Sequence, residues 1–187
     1  MKSKRCRRFN RLPIRRHSAL PHFGLTTFVL SAVNAGLIPK AAEPVVLGVA
    51  FAYGGLAQFC AGMWEFQRNN TFGATAFTSY AAFWIAFALL VTFHIGGIPP
   101  EARPAAVGTF LLGWTIFTAY MTVAAITLSR PLLVVFILLT ITFFLLTIGA
   151  FTSQAGLTVL GGYLGLVTAI GAWYVSAITV IASTRKH

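Results

Sequence analysis

The N-terminal half of the chain places hydroxyls and amides inside long apolar runs: Thr26, Thr27, Ser31 and Asn34, then Tyr53 and Gln58, then Thr75, Thr78, Ser79 and Tyr80. In hydrocarbon each such group must find a partner, water or a solute to offset its desolvation. Hydroxyls and amides donate hydrogen bonds to a carboxylate or a neutral acid, yet carry no fixed charge that would hold it tightly. Conduction asks for that combination. Asn34 and Gln58 stand out, because an amide has more donor and acceptor sites to satisfy than a hydroxyl. Each hydroxyl taken singly also has a plainer reading, as a group bonded to its own i−4 carbonyl or to the next helix.

Charge is scarce in the same runs. No Asp, Lys or Arg falls in the centre of one, which excludes a cation pump built on buried carboxylates. Glu65 is read as the only acid within reach of a helix, and Arg68 follows three residues on, a spacing that allows an ion pair or a proton site. His94, beside Gly96 and Gly97, is a lone imidazole at the end of a run. Histidines at 17, 22, 94 and 187 and the absence of any Asp leave no metal cluster or catalytic constellation to propose, so the chain is read as no enzyme and as needing no cofactor. Cys6 and Cys60 are too far apart to suggest a local disulfide framework.

The elements that carry these residues follow from hydropathy. With 57% hydrophobic and 9% charged residues in 187, the chain has too little polar surface to cover itself in water. Six runs are readable: Phe23 to Pro39, Pro44 to Met63, Phe72 to Phe93, Ala105 to Leu128, Pro131 to Phe151 and Leu157 to Ala182. All but the first approach or exceed the ~20 residues that a bilayer helix needs, and continuous stretches such as Leu132 to Leu146 do not alternate as barrel strands would. The expectation is an all-α membrane protein, a six-helix transmembrane bundle over residues 23 to 184, with a basic arm at 1 to 22 and a short tail at 185 to 187.

Eight of the 14 Lys and Arg lie in residues 1 to 16. If six helices alternate, Arg68, Arg130, Arg185 and Lys186 share that side, leaving only Lys40 and Arg103 opposite. The positive-inside rule then puts both termini in the cytoplasm. The net charge of +11 is mostly this topology signal, and anionic lipid head groups, not nucleic acid, are the partner expected for the arm. Gly54 and Gly55, with Gly161, Gly162 and Gly165, allow close helix approach. The tryptophans and most phenylalanines are read as packing and interface anchors.

Gly24-Leu25-Thr26-Thr27-Phe28, Asn34-Ala35-Gly36, Tyr53-Gly54-Gly55-Leu56-Ala57-Gln58, Ala61-Gly62-Met63-Trp64-Glu65-Phe66 and Asn70-Thr71-Phe72-Gly73-Ala74-Thr75-Ala76-Phe77-Thr78-Ser79-Tyr80 closely resemble the acetate uptake transporter family, of the succinate-acetate permease type. The likeness is dense from Phe23 to about Trp84; beyond it, length and hydropathy carry the match. The resemblance implies proton-coupled uptake of acetate and related small monocarboxylates through a pore in each protomer, with six protomers in a ring in a plasma (inner) membrane. It also implies a constriction of Phe23, Tyr80 and, by ungapped placement, Leu139. Thr26, Thr27, Asn34, Gln58, Thr78 and Ser79 are then the pore-lining polar residues. An apolar ring of this kind gates by dewetting, which favours small, singly charged or protonated acids over dianions.

One segment departs from the pattern. The family's N-P-A-P-L-G-L signature should end near residue 20, where this chain has Ile14-Arg15-Arg16-His17-Ser18-Ala19-Leu20. Synonymous codons exist for Pro13 to Pro21 that encode N-P-A-P-L-G-L-A when read one frame over. Residues 1 to about 22 are therefore expected to be an out-of-frame reading, with the frame restored before Phe23. A chain without that entrance segment also leaves open a second function, a membrane assembly or sensor protein of the same fold that conducts nothing.

Overall fold

The computed structural model describes residues 19 to 184, and these are helical nearly throughout. Helix α1 spans Leu20–Asn34. The second span is composite: α2 (Glu43–Val49), a wide π-helical stretch over Ala50–Ala57, and α3 (Gln58–Gln67). Helices α4 (Thr71–Leu89), α5 (Arg103–Ala125), α6 (Arg130–Thr152) and α7 (Ala155–Thr184) complete the chain. A π turn at Leu90–His94 and a 3-10 turn at Ile95–Gly97 extend α4. Five of the six spans are long and apolar enough to cross a membrane by length and composition. The sixth, α1, has 15 residues, about 22 Å of helix against ~30 Å of hydrocarbon.

Local chemistry sets the ends. Pro21, Pro44, Pro104 and Pro131 sit in first turns, where a missing N–H costs nothing. Asn70 caps α4 by accepting from the Gly73 N–H at 3.1 Å. Gly36, at φ +73°, turns the chain out of α1. That is why α1 stops at Asn34 although the apolar run continues to Pro39, and Pro21 is why it starts at Leu20 instead of Phe23. Its first three residues, Leu20 to His22, thus belong to the bundle and not to an arm. Residues 1 to 18 and 185 to 187, on which the rest of the expected arm, its out-of-frame origin and the tail depend, lie outside the described residues. The expectation of a single carboxylate near a helix is also corrected. Glu43 opens α2, where the positive end of the helix dipole favours it.

The spans close into a ring. Helix α1 packs on α7, α7 on α6, α6 on α5, and α5 returns to α4; the composite span fills the gap between α4 and α1. Close approach at the α1–α7 seam depends on small residues, since apolar burial drives little association in lipid. A Cβ at Gly162 would run into the backbone of Asn34 and Ala35. Outward faces carry Phe51, Phe66, Ile116, Val123 and Ile170 exposed, as a lipid-facing surface requires. Inside the ring sits an aromatic core that includes Phe23, Tyr80, Phe83, Trp84, Phe136 and Phe143.

Candidate transport pathway

Two cavities open from opposite ends of the bundle. The upper one, about 420 Å³, lies at the end where α1 stops and α2 starts; Thr27, Ser31, Asn34 and Glu43 line it, with Phe83 and Leu139 at its inner part. At ~30 Å³ per water that is room for roughly a dozen molecules, enough for a small acid with its hydration shell. The lower cavity, about 480 Å³, lies where α3 passes to α4 and α5 to α6, and Leu20, Glu65, Arg68, Asn70, Phe77 and Phe136 border it.

The partition between them is thin and apolar, and three helices show its thickness by register. On α1, Leu20 faces the lower cavity and Phe23 the upper; on α6, Phe136 faces the lower and Leu139 the upper. Three residues of helix rise separate the members of each pair, about 4.5 Å. On α4 the sequence is Phe77 below, Tyr80 between and Phe83 above. Phe23, Tyr80 and Leu139 are 4%, 3% and 4% exposed. The Tyr80 ring lies 5.5 Å from that of Phe23 and 6.3 Å from that of Phe136, centroid to centroid, and stands edge-on to Phe117 at 5.3 Å. Its hydroxyl donates to Thr118 Oγ1 at 3.0 Å.

The polar residues singled out from sequence divide into three groups. Thr27 and Asn34 border the upper cavity, joined by Ser31 on the same stripe of α1. Thr26, Thr78 and Ser79 border neither cavity. Thr26 donates to the His22 carbonyl at 3.0 Å and packs where a side chain on Gly54 would sit. Thr78 donates to the Ala74 carbonyl at 2.7 Å and fills the space over Gly62, so the helix rotation that brings Tyr80 inward turns it toward α3. Gln58 also borders neither cavity; fully buried, it follows the π-helical stretch one turn after Gly54, and its Oε1 and Nε2 have no partner among the described residues. Thr27 Oγ1 and Trp84 Nε1 are likewise buried without partners, and both residues line the upper cavity.

Glu65 is 4% exposed and pairs with Arg68 at 3.2 Å, while Asn70 Nδ2 donates to its other oxygen. The cluster stands at the mouth of the lower cavity and also anchors the cap of α4. Sequence reasoning passed over Trp84, taken as a packing anchor, and Glu43 and Thr142 of the upper cavity. A signal for Trp84 existed: an indole N–H buried mid-span wants an acceptor. For Thr142 none did, because one more threonine in α6 looks like any other.

The chain is similar to proteins whose properties are known. A solved structure described as that of the bacterial acetate channel SatP superposes with a TM-score of 0.81 at 34% identity, covering 87% of this chain and 89% of that one. The succinate-acetate/proton symporter SatP of Escherichia coli K12 is 34% identical over 154 residues, 82% of this chain and 81% of that protein. Acetate permease A of Emericella nidulans is 40% identical over 182 residues, 89% of this chain but 61% of the permease. This chain thus spans under two thirds of that fungal relative. The model of the GPR1/FUN34/yaaH family matches residues 17 to 186, nearly the whole sequence, and the chain belongs to that family.

Proposed function

We propose that this chain carries acetate and related small monocarboxylates across a membrane, each protomer through its own passage. The observation that carries the reading is the pair of cavities on one axis, entered from opposite ends and divided by the apolar layer of Phe23, Tyr80 and Leu139. An anion crossing that layer must shed water, and the cost rises with charge and size. Acetate, small and singly charged, loses least, and as the neutral acid loses less still. Thr27, Asn34 and the Trp84 N–H offer it hydrogen bonds on arrival from the upper side, without a fixed positive charge that would trap it.

Proton-coupled uptake fits the same geometry. Each cavity has one carboxylate in its wall, Glu43 above and Glu65 below, so Glu65 with Arg68 is the candidate proton or ion-pair site on the lower side. The distribution of cations supports a cytoplasmic lower side with both termini on it, and likeness to the family supports a plasma (inner) membrane. Likeness to the family supports a ring of six protomers, and the glycine-lined helices are compatible with it. The assignment is to a transporter and not to an enzyme.

Uptake of labelled acetate into proteoliposomes holding the purified full-length chain tests this. Flux above that of empty vesicles is expected, and Tyr80→Ala should change its rate or selectivity while the protein still assembles. Missing the N-P-A-P-L-G-L signature favours the other reading, a non-conducting assembly or sensor protein, which absence of flux would support.

A further inference from the structure

We propose that Thr118 is a positioning residue for the constriction: by accepting the Tyr80 hydroxyl it keeps the polar end of that side chain out of the passage, so that the barrier presents only ring and aliphatic surface. The inference rests on the transport reading above and adds a determinant from α5, outside the recognised motifs.

Thr118 is fully buried and Tyr80 nearly so. A threonine hydroxyl has one proton, and that of Thr118 goes to the Trp114 carbonyl at 2.7 Å. What remains is an acceptor lone pair, and Tyr80 Oη donates to it at 3.0 Å. The direction of the bond is thereby fixed, with the phenol proton aimed into α5. Helix α5 is itself tied to α6, through Thr115 to Thr147 at 2.8 Å and Thr122 to Thr140 at 2.7 Å, with Thr122 also donating to the Phe136 carbonyl at 3.1 Å. Helix α6 carries Leu139 and Phe136. One hydrogen bond thus fastens the Tyr80 ring to the same rigid pair of helices that supplies the other wall of the constriction.

Without the Thr118 acceptor the phenol is a buried orphan. Relief lies in water entering the two cavities, whose walls begin about one turn above and below Tyr80, at Phe83 and Phe77, and reaching it turns the hydroxyl into the passage. A hydrated, polar constriction discriminates less by size.

The test uses the reconstituted full chain and the ratio of butyrate to acetate uptake. Thr118→Val should raise that ratio about three- to tenfold, the factor that one net hydrogen bond is worth. Thr118→Ser, which keeps the acceptor, should restore the unaltered ratio, and Thr118→Val combined with Tyr80→Phe should behave as Tyr80→Phe alone, since no hydroxyl remains to swing. A purely structural Thr118 would lower the yield of folded protein and leave the ratio unmoved. An unmoved ratio in Thr118→Val, or a raised one that persists in the double variant, overturns the proposal; should Thr118→Val fail to insert, Thr118→Ala removes the same acceptor. Fluorine-labelled tyrosine NMR of the Tyr80 resonance, identified by its loss in Tyr80→Phe, separates the two readings. If the unaltered chain carries no acid, the transport reading falls, while a resonance that shifts in Thr118→Val and returns in Thr118→Ser still upholds the anchor, and one that stays put removes it.

Discussion

The two halves of the ring use polar residues in opposite ways. On α5 and α6 the interior threonines are matched, Thr115 with Thr147 and Thr122 with Thr140; in each pair one hydroxyl donates to the other, which donates in turn to a helix carbonyl. On α1, the composite span and α4, Thr27, Gln58 and Trp84 keep buried polar atoms with no partner among the described residues. Hydroxyls that satisfy one another make a clamp; groups that do not are left for water or solute. Both halves read as apolar helices with polar punctuation, and only the pairing separates a wall that must stay still from a wall that must interact.

The sharpest break targets the seam where the halves join. Gly162→Leu on α7 drives a side chain into the α1 backbone at Asn34 and Ala35, and neither helix can yield without moving the whole upper cavity. Overpacking against backbone should cost about 3 kcal/mol or more, and no folded protein should survive detergent extraction, as size-exclusion chromatography would record. Recovery of a stable, active Gly162→Leu protein would mean that the seam is looser than drawn.

Next comes the fully buried amide. Gln58→Leu removes an unpartnered polar group, so it should leave thermal stability in detergent unchanged or raised, since an apolar replacement of an unmatched group is near neutral or favourable. Acetate flux should nonetheless fall about tenfold, the value of ~1.4 kcal/mol in a barrier; because the amide borders neither cavity, such a fall would show that solute or water reaches it during passage. Reduced stability with normal flux would move Gln58 to the clamp side of the comparison. Asn70→Ala examines a satisfied polar group in the half that also holds the unpartnered ones. Losing the cap of α4 and one Glu65 partner should cost ~1 kcal/mol in stability, visible as a lower melting temperature, with a smaller change in flux than Gln58→Leu gives.

Why sequence separated these roles only in part is a matter of rotation. The existence and order of the six spans were legible, because composition and length decide them; the resemblance singles out Phe23 and Tyr80, whose rings lie 5.5 Å apart. Helix starts differ by one residue where a first-turn proline marks the boundary, as at Pro44 and Pro131. What a sequence hides is which way each side chain turns: Thr27 and Thr26 are neighbours with identical chemistry, yet one lines a cavity and the other packs on Gly54. Nor does it show the partner. Nothing in the sequence of α5 says that a phenol from α4 will arrive at Thr118.

The smallest effect sharpens the comparison from the clamp side. Thr115 and Thr147 share a hydrogen bond at 2.8 Å, but each also donates to or can fall back on its own i−4 carbonyl, Leu111 and Phe143. Breaking the pair therefore strands no donor, unlike removal of the acceptor for Tyr80. In a double-mutant cycle of Thr115→Val and Thr147→Val, the coupling energy should be only ~0.6 kcal/mol, the usual worth of an interhelical hydrogen bond in a membrane, with acetate flux within about twofold of the unaltered chain. A coupling near zero would make the threonines independent helix residues, and a large loss of flux would place solute contacts on the wall that the pairing marks as static.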